Sequence, residues 1–167
     1  MSLLTILHYP DPRLRNVAKS VTVFDAALRN FTADLVETMY EAPGIGLAAS
    51  QVNVHRRIIV VDISENRDDP HVLINPESTP TGEEVETEEG CLSVPGIYEP
   101  VVRRESITVR AFDPHGDVLD FAADGMLAVC IQHECDHLEG RLFVDYLSRL
   151  KRSRIKRKLE KQLKQRG

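Results

Sequence analysis

Apolar residues recur every three or four positions in the first third of the chain, which predicts an amphipathic helix. Its apolar stripe consists of Phe24, Leu28, Phe31, Leu35 and Met39. Asp25 is suited to cap the start of this helix, because its carboxylate can accept a hydrogen bond from a free backbone N–H. Pro43 and Gly44 end the helix, since neither residue continues one readily.

The central part of the chain changes to short β-branched runs bounded by polar, Gly or Pro residues, a pattern typical of strands. We predict strands at Arg57 to Ile63, Val72 to Asn75, Glu83 to Glu88, Val101 to Arg103, Ile107 to Phe112 and Val118 to Phe121. The last two flank Asp113-Pro114-His115-Gly116, in which Pro and Gly favour a tight turn. These two strands should therefore pair as a hairpin.

Helical spacing returns between Gly125 and Glu139, where apolar residues occupy nearly every side of the first turns. This second helix should be buried and central, and Gly140 can end it in a left-handed conformation. A third helix, rich in Lys and Arg, is predicted from Val144 to about Gln165. The predicted fold class is α+β: short antiparallel strands wrapped around the central helix, with an amphipathic helix before it and a basic helix after it.

Length and charge indicate one domain with a basic tail. A chain of 167 residues with 42% apolar content can form one core of ordinary size. It has no basic leader and no apolar run long enough to span a bilayer, so we expect a cytoplasmic protein without a membrane partner. From Arg149 to Gly167 there are ten Lys and Arg against one acid, although the net charge of the chain is −5. This tail is either a solvated helix face or a surface that binds nucleic acid.

Two histidines one helical turn apart are the strongest sign of chemistry in the chain. His133 and His137 lie at i and i+4 on the central helix, so both imidazoles can reach one cation, and Glu134 lies beside them. This arrangement is typical of hydrolytic metal centres. The alternative is a helix that carries these residues by coincidence. Burial favours the metal, because an ion offsets the desolvation of three polar side chains.

A catalytic centre of this type requires a third protein ligand. No histidine follows His137, and Glu160 lies in the basic tail, where an ion pair with a neighbouring Lys is the simpler interpretation. Cys91 is the remaining strong candidate, because the glycines and proline around it can form a loop that holds the thiolate rigidly. Cys130 and Cys135 lie among apolar neighbours and are expected to pack. Three cysteines are too few for a disulfide framework, so reduced thiols are expected.

The segment Gly44-Ile45-Gly46-Leu47-Ala48-Ala49-Ser50-Gln51 contains a further candidate site. Its two glycines allow another backbone to approach closely, as when an extended peptide adds to a sheet edge. The side-chain amide of Gln51 can donate hydrogen bonds to a developing oxyanion. No phosphate-loop Lys follows the glycines, so no nucleotide cofactor is expected.

Three segments together resemble the signature motifs of the peptide deformylase family, in the family's order and spacing. They are Gly44 to Gln51, Glu89-Gly90-Cys91-Leu92-Ser93, and Gln132-His133-Glu134-Cys135-Asp136-His137-Leu138-Glu139-Gly140. The similarity extends to His8-Tyr9-Pro10, Leu14-Arg15 and the basic helix, and so covers nearly the whole chain. It implies a metal-dependent hydrolase that removes the N-formyl group from N-formylmethionyl nascent polypeptides and releases formate. Residues 1–148 would be the catalytic metallohydrolase domain, and 149–167 a basic helical extension of it.

The resemblance also implies roles for individual residues. Cys91, His133 and His137 would bind one divalent ion, and Glu134 would move protons. The resemblance implies Fe²⁺ as the native ion, replaceable by Zn²⁺, Ni²⁺ or Co²⁺, whereas the donor set alone favours zinc. The Gln51 amide and the Leu92 backbone N–H would hold the oxyanion. The basic tail would dock on the ribosome near the exit tunnel.

The substrate is expected to contact backbone and side chains on either side of the metal. Backbone contacts to the peptide would come from the glycine segments, and an apolar pocket would receive the methionine side chain. For several of these residues ordinary core packing is the alternative interpretation. The substrate-binding candidates are Gly44, Ile45, Gly46, Gly90, Met126, Val129 and Cys130.

Two other functions are consistent with the histidine motif alone. A zincin-type metallopeptidase would use a third ligand other than Cys91, and substitution of Cys91 would then leave metal binding intact. A metal-stabilised protein that contacts RNA through its tail would use the same ligands structurally. Such a closed site would not require the unliganded acid Glu134.

Overall fold

The protein, described by a computed structural model over residues 2–166, combines three α-helices with antiparallel sheets. Met1 and Gly167, the ends of the predicted domain, lie outside the described residues. The helices are α1 (Ala26–Glu41), α2 (Gly125–Leu138) and α3 (Arg149–Arg166). The strands are β1 (Gly46–Ala48), β2 (Ile58–Val61), β3 (His71–Pro80), β4 (Glu84–Cys91), β5 (Val94–Arg104), β6 (Ser106–Phe112) and β7 (Val118–Asp124). The predicted α+β class is confirmed.

The strands form two separate sheets. Five of them form an antiparallel sheet in the order β1-β2-β3-β6-β7, and β4 pairs with β5 as a two-stranded ribbon. The predicted hairpin is present as β6 and β7, which pair from Ser106 and Asp124 to Phe112 and Val118. Among the described strands β1 pairs only with β2, and β4 only with β5. Each of these two strands therefore has one unpaired edge.

Strand β2 is apolar at four consecutive positions because helices cover both faces of the sheet. Ile59 belongs to an apolar cluster that includes Ile131 of α2, whereas Ile58 belongs to one that includes Leu35 of α1. Successive side chains of a strand point to opposite faces, so α1 and α2 lie on opposite sides of the sheet. Helix α1 begins as predicted, with the Asp25 carboxylate accepting the backbone N–H of Leu28 at 2.9 Å.

A third apolar cluster joins α3 to the ribbon. Ile155 and Leu159 of α3 are buried together with Val94 and Ile97 of β5. The predicted start of this helix at Val144 was wrong. The preceding residues Phe143–Tyr146 form one 3-10 turn instead, because the Asp145 carboxylate accepts the Leu142 backbone N–H at 3.0 Å and pairs with Arg15.

Two strands are longer than the short strands we predicted. β3 has 10 residues and β5 has 11, and both contain prolines that the sequence pattern predicts to be strand boundaries. In β3 the Pro76 ring is accommodated at a register shift between Ile74 and Glu77. In β5 prolines are tolerated because a strand of a two-stranded ribbon needs backbone donors on one side only. In the described part of the chain, no helix combines the length and apolarity needed to cross a membrane.

Candidate metal centre and active site

Helix α2 and the end of β4 bring three potential metal ligands together. The Nε2 atoms of His133 and His137 are 3.2 Å apart, and Cys91 Sγ lies 3.4 Å from His137 Nε2. The ligand atoms of all three residues lie within 4.8 Å of one another. The prediction that Cys91 lies in a loop was wrong. Cys91 ends β4 and pairs with Val94, so Leu92 and Ser93 alone form the connection to β5. The tight turn of the ribbon therefore aims the thiol at the histidines.

This arrangement fits a tetrahedral metal ion. For ligand bonds of ordinary length, two nitrogens of one such site lie about 3.3 Å apart and a nitrogen and a sulfur about 3.5 Å apart. The observed separations of 3.2 and 3.4 Å match these values. Burial, together with neighbouring His133, holds the pKa of His137 well below its ordinary value, so this imidazole is neutral and able to ligate. One thiol and two imidazoles are typical donors for divalent transition metals.

Glu89 holds the ring of His133 from behind. Its Oε1 lies 2.8 Å from His133 Nδ1, and both side chains are buried. Arg103 donates to both oxygens of Glu89 and also to Asp136, at distances of 2.6 to 2.9 Å. Burial acts to raise the pKa of Glu89, but the bonds from Arg103 and His133 lower it to about 2. Glu89 therefore remains ionised beside the histidine.

Sequence reasoning assigned no role to Glu89 or Arg103. A signal was nevertheless present, because side chains two residues apart on a strand share a face. Glu89 precedes Cys91 by two positions on β4, and although the register shifts between them, both side chains reach the histidines of α2. A buried acid next to a candidate ligand would then have been expected to support a metal-bound histidine.

Glu134 lies beside the three candidate ligands in a space left by a glycine. Its Oε2 is 3.9 Å from His133 Nε2, and within the described residues its buried Oε1 has no hydrogen-bond partner. Burial raises the pKa of Glu134 to about 7. A Cβ atom at Gly46 would lie 2.5 Å from Glu134 Oε2 and 2.7 Å from Cys130 Sγ. Strand β1 can approach the acid this closely only because position 46 carries no side chain.

Gln51 is fixed with its amide nitrogen toward Cys91. Its Oε1 accepts the backbone N–H of Ala48 at 2.9 Å, and its Nε2 donates to Ser93 Oγ at 3.0 Å. The same Nε2 lies 3.5 Å from Cys91 Sγ. Ser93, which sequence reasoning did not single out, thus orients the glutamine. Leu92 packs against Gly44, where a Cβ would lie 2.7 Å from its Cδ1.

The other candidate substrate residues are placed less uniformly. Cys130 is buried, and its Sγ lies 3.7 Å from the Ile45 carbonyl oxygen, so these two residues border the same space as Glu134. Val129 is half-buried. Met126 is 62% exposed in the first turn of α2, and its part in an apolar pocket stays a prediction. Gly90 lies under the ring of Tyr98, whose Cε1 would be 2.5 Å from a Cβ at this position.

Comparison with known proteins agrees with this geometry. A sequence model of the family described as polypeptide deformylase matches residues 3–153. Peptide deformylase from Pseudomonas aeruginosa is 59% identical over 166 residues, and that from Chromobacterium violaceum is 59% identical over 165, each match covering 99% of both chains. A crystal structure of a peptide deformylase from Legionella pneumophila is similar with a TM-score of 0.93, at 47% identity over 99% of both chains. The chain belongs to the polypeptide deformylase family.

Membership of the polypeptide deformylase family confirms the activity that the three motifs implied. The protein is a metal-dependent hydrolase that removes the formyl group from formylmethionyl nascent peptides. Neither alternative, a zincin-type metallopeptidase or a metal-stabilised RNA-binding protein, is supported by these matches. A crystal structure of peptide deformylase from Ehrlichia chaffeensis in complex with actinonin is also similar, with a TM-score of 0.93 at 40% identity over 97% of this chain and 98% of that chain.

Proposed function

We propose that Cys91, His133 and His137 bind the divalent ion of the deformylase and that Glu134 moves the protons of hydrolysis. The observation that carries this proposal is the convergence of three ligand atoms within 4.8 Å, with an unliganded buried acid next to them. A closed structural site needs four protein ligands and has no use for such an acid. Three ligands and one acid suit hydrolysis.

A divalent ion held by Cys91, His133 and His137 would supply Lewis acidity, which would lower the pKa of water toward neutrality and polarise the formyl carbonyl. We infer Fe²⁺ as the native ion from family resemblance, with Zn²⁺, Ni²⁺ or Co²⁺ as replacements. The donor set of one thiolate and two imidazoles is compatible with each of them. Glu89 keeps the His133 ring oriented, because its carboxylate faces Nδ1 and leaves Nε2 for the ion.

Glu134 acts as the general base and then as the general acid. A carboxylate accepts the proton of the attacking water, and the resulting acid returns it to the departing amine. Burial raises the pKa of Glu134 above its ordinary value, which is the direction that suits a group that both accepts and returns a proton.

We assign stabilisation of the oxyanion to two donors, of which Gln51 Nε2 lies 3.5 Å from Cys91 Sγ. Gln51 Nε2 donates from the side chain, which Ala48 and Ser93 hold in place. The backbone N–H of Leu92 follows Cys91 directly and supplies the second donor. Donors that are fixed before the reaction need no reorganisation when charge develops.

The formylated peptide docks as an extended strand along the unpaired edge of β1. Gly44, Ile45 and Gly46 contact it from one side and Gly90 from the other. Backbone pairing of this kind reads no side chains, and therefore suits a population of nascent chains with varied sequences. The methionine side chain of the docked peptide is received by four residues, Ile45, Val129, Cys130 and Met126. We call the space between β1 and Gly90 the substrate groove, and we also infer that actinonin binds in it.

The test is formate release from formyl-Met-Ala-Ser by the metal-loaded protein under anaerobic conditions. Glu134→Ala should retain the ion and lose at least about 100-fold in kcat, the usual contribution of a general acid–base group. Cys91→Ser should lose the ion. Glu139→Ala, at a half-exposed acid one residue beyond the same helix, is the matched control and should remain active. Full activity of Glu134→Ala would contradict the mechanism.

The exposed face of α3 is proposed to dock on the ribosome near the exit tunnel. Ile155 and Leu159 hold the helix on the protein, and most of its Lys and Arg side chains are exposed. A basic helix attracts RNA phosphates in a salt-dependent manner. The segment 149–167 would in this way be a basic extension of the single catalytic domain 1–148, working in the cytoplasm where nascent chains emerge.

Ribosome cosedimentation tests the docking. Replacing Lys156, Arg157 and Lys158 together by Gln should weaken binding and flatten its salt dependence, by about one unit of slope for each lost phosphate contact. Formate release from the short peptide should stay within about twofold of the original rate, because these exposed residues lie outside the metal centre. Unchanged cosedimentation at low and moderate salt would contradict the proposal.

A further inference from the structure

A loop outside the metal centre is bonded to the wall of the proposed substrate groove. This loop, residues 62–70, connects β2 to β3. From it, Arg67 Nη2 donates a hydrogen bond of 2.7 Å to the carbonyl oxygen of Gly44. The Arg67 guanidinium also lies over the ring of Tyr40, 4.9 Å from the centroid. One side chain thus connects the last turn of α1 to the segment that enters β1.

Asp62 orders the loop that carries Arg67. Its side chain is 1% exposed, and its carboxylate accepts the Ser64 backbone N–H at 2.8 Å and the Ser64 hydroxyl at 2.6 Å. The backbone N–H of Asp69 donates to the other oxygen at 3.2 Å, and so does the Tyr40 hydroxyl. Asp62 therefore fixes both the loop and the Tyr40 ring on which the Arg67 guanidinium lies.

The backbone of Arg67 is in the left-handed region, with φ at 55°. This conformation is unfavourable for a residue with a side chain, and it persists where the surroundings hold it in place. Such strained positions are concentrated at functional sites. In this loop the hydrogen bonds to Asp62 hold the turn that directs Arg67 toward Gly44.

The loop holds backbone atoms of the segment that leads into the proposed peptide-binding edge of β1. Besides the bond from Arg67 to Gly44, the Asp62 backbone N–H donates to the Ile45 carbonyl oxygen at 2.8 Å. Gly44 in turn packs against Leu92, beside Cys91. The loop thus fixes the carbonyl groups of Gly44 and Ile45. Gly44 lies next to Leu92, whose N–H we assign to the oxyanion.

We propose that Arg67 is a positioning residue for deformylation and that it fixes the Gly44–Ile45 backbone in the conformation that receives the peptide. This inference rests on the proposed docking of the substrate along β1. The described side-chain contacts of Arg67 are to Gly44 and Tyr40, and none reaches a candidate metal ligand or Glu134. Loss of the side chain should therefore weaken binding of the peptide and leave the bond-breaking groups in place.

Steady-state kinetics with formyl-Met-Ala-Ser test the proposal. Arg67→Ala should raise KM about tenfold with kcat within about twofold, the signature of lost ground-state binding. Arg67→Lys should recover part of the affinity, because an ammonium group can donate to Gly44 but cannot stack as a planar guanidinium does. Arg110→Ala, at an exposed arginine on β6, is the matched control and should leave KM unchanged.

Amide hydrogen exchange provides a readout that does not depend on activity. Exchange at residues 44–47 should accelerate in the Arg67→Ala protein and not in the Arg110→Ala protein. If the alanine variant does not fold, the lysine variant carries both measurements. A loss confined to kcat, or unchanged KM and exchange, would overturn the role of Arg67.

A second comparison separates this inference from the docking on which it rests. In the unsubstituted protein, KM should be lower for formyl-Met-Ala-Ser than for formyl-Met amide, because the longer peptide pairs with more of β1. Equal KM values would contradict the docking itself. If KM differs between the two substrates in the unsubstituted protein and differs by as much in Arg67→Ala, only the role of Arg67 would be contradicted.

Discussion

Glu89 Oε1 lies 2.8 Å from His133 Nδ1, so an acid of the two-stranded ribbon fixes the ring of a histidine on helix α2. The two residues are 44 positions apart in sequence and both are buried. Arg103 and Asp136 extend the contact, which makes the ribbon and the helix one rigid support for the candidate metal centre.

Replacing Glu89 by Ala should weaken metal binding about 10- to 100-fold, the usual effect of losing the partner that orients a ligating histidine. Competition with a chelator of known affinity measures this change. Glu88→Ala removes an exposed acid from the neighbouring position of β4 and is the control. Equal metal affinities of the two variants would show that Glu89 does not support the ligand.

Gly46→Ala should reduce kcat/KM by at least about 100-fold, because the added methyl group displaces the Glu134 carboxylate that we assign as general base. The methyl would lie 2.5 Å from Glu134 Oε2, closer than van der Waals contact allows. Kinetics should be normalised to the folded, metal-loaded fraction. A variant that folds and keeps the original kcat/KM would contradict the proposed position of the acid.

Asp62 should make stability depend on acid pH. Burial acts to raise its pKa, but hydrogen bonds from Ser64 and Tyr40 lower it to about 2, below the ordinary value of 3.8. Its contribution is present above pH 4 and is lost as the pH falls toward 2, since the unfolded chain takes up the proton first. In Asp62→Asn, unfolding in this range should take up about one proton fewer, measured as a shallower slope of unfolding free energy against pH.

The pH dependence of stability in Asp62→Asn can also contradict the assignment of this titration to Asp62. If Asp62→Asn and the unsubstituted protein had parallel stability curves between pH 4 and 2, the Asp62 carboxylate would not be the group that titrates. Above about pH 5 the two curves should be parallel, because Asp62 is ionised in both the folded and the unfolded chain there.

Leu159→Ala should destabilise the protein by about 2–4 kcal/mol, because Leu159 is 3% exposed in the cluster shared with β5. Leu163→Ala, one turn later at 45% exposure, should change the free energy of unfolding by less than about 0.5 kcal/mol. Denaturant unfolding measures both. Equal, small effects would show that α3 is not part of the core and that the tail is a separate extension.

Helices with a clear apolar period could be predicted from the sequence, and so could the chemistry. The cap at Asp25, the extent of α2 and the β6–β7 hairpin follow from local patterns, and the family activity followed from three motifs. Strand lengths could not be predicted in the same way. Local patterns predict that Pro76 and Pro100 break strands. A register shift accommodates Pro76, and an unpaired strand edge accommodates Pro100. Both features depend on which strands are neighbours.

The support of the site was also beyond local reasoning. Ser93 orients Gln51 across 42 positions, and Arg103 reaches Glu89 only because β4 and β5 pair. Met126 has the spacing of a pocket residue on α2, yet it is 62% exposed. Periodicity identifies the face of an element, whereas its partner is set by tertiary packing.

The short length of β1 has a consequence for solubility. An unpaired sheet edge can pair with the same edge of another molecule and begin aggregation. β1 has three residues and is followed at once by a 3-10 turn at Ala49–Val52, so two copies could form only a few backbone bonds with each other. In the docking that we propose, a formylated peptide has additional anchors beside β1. The edge can thus stay open to passing nascent chains without serving as a template for self-association.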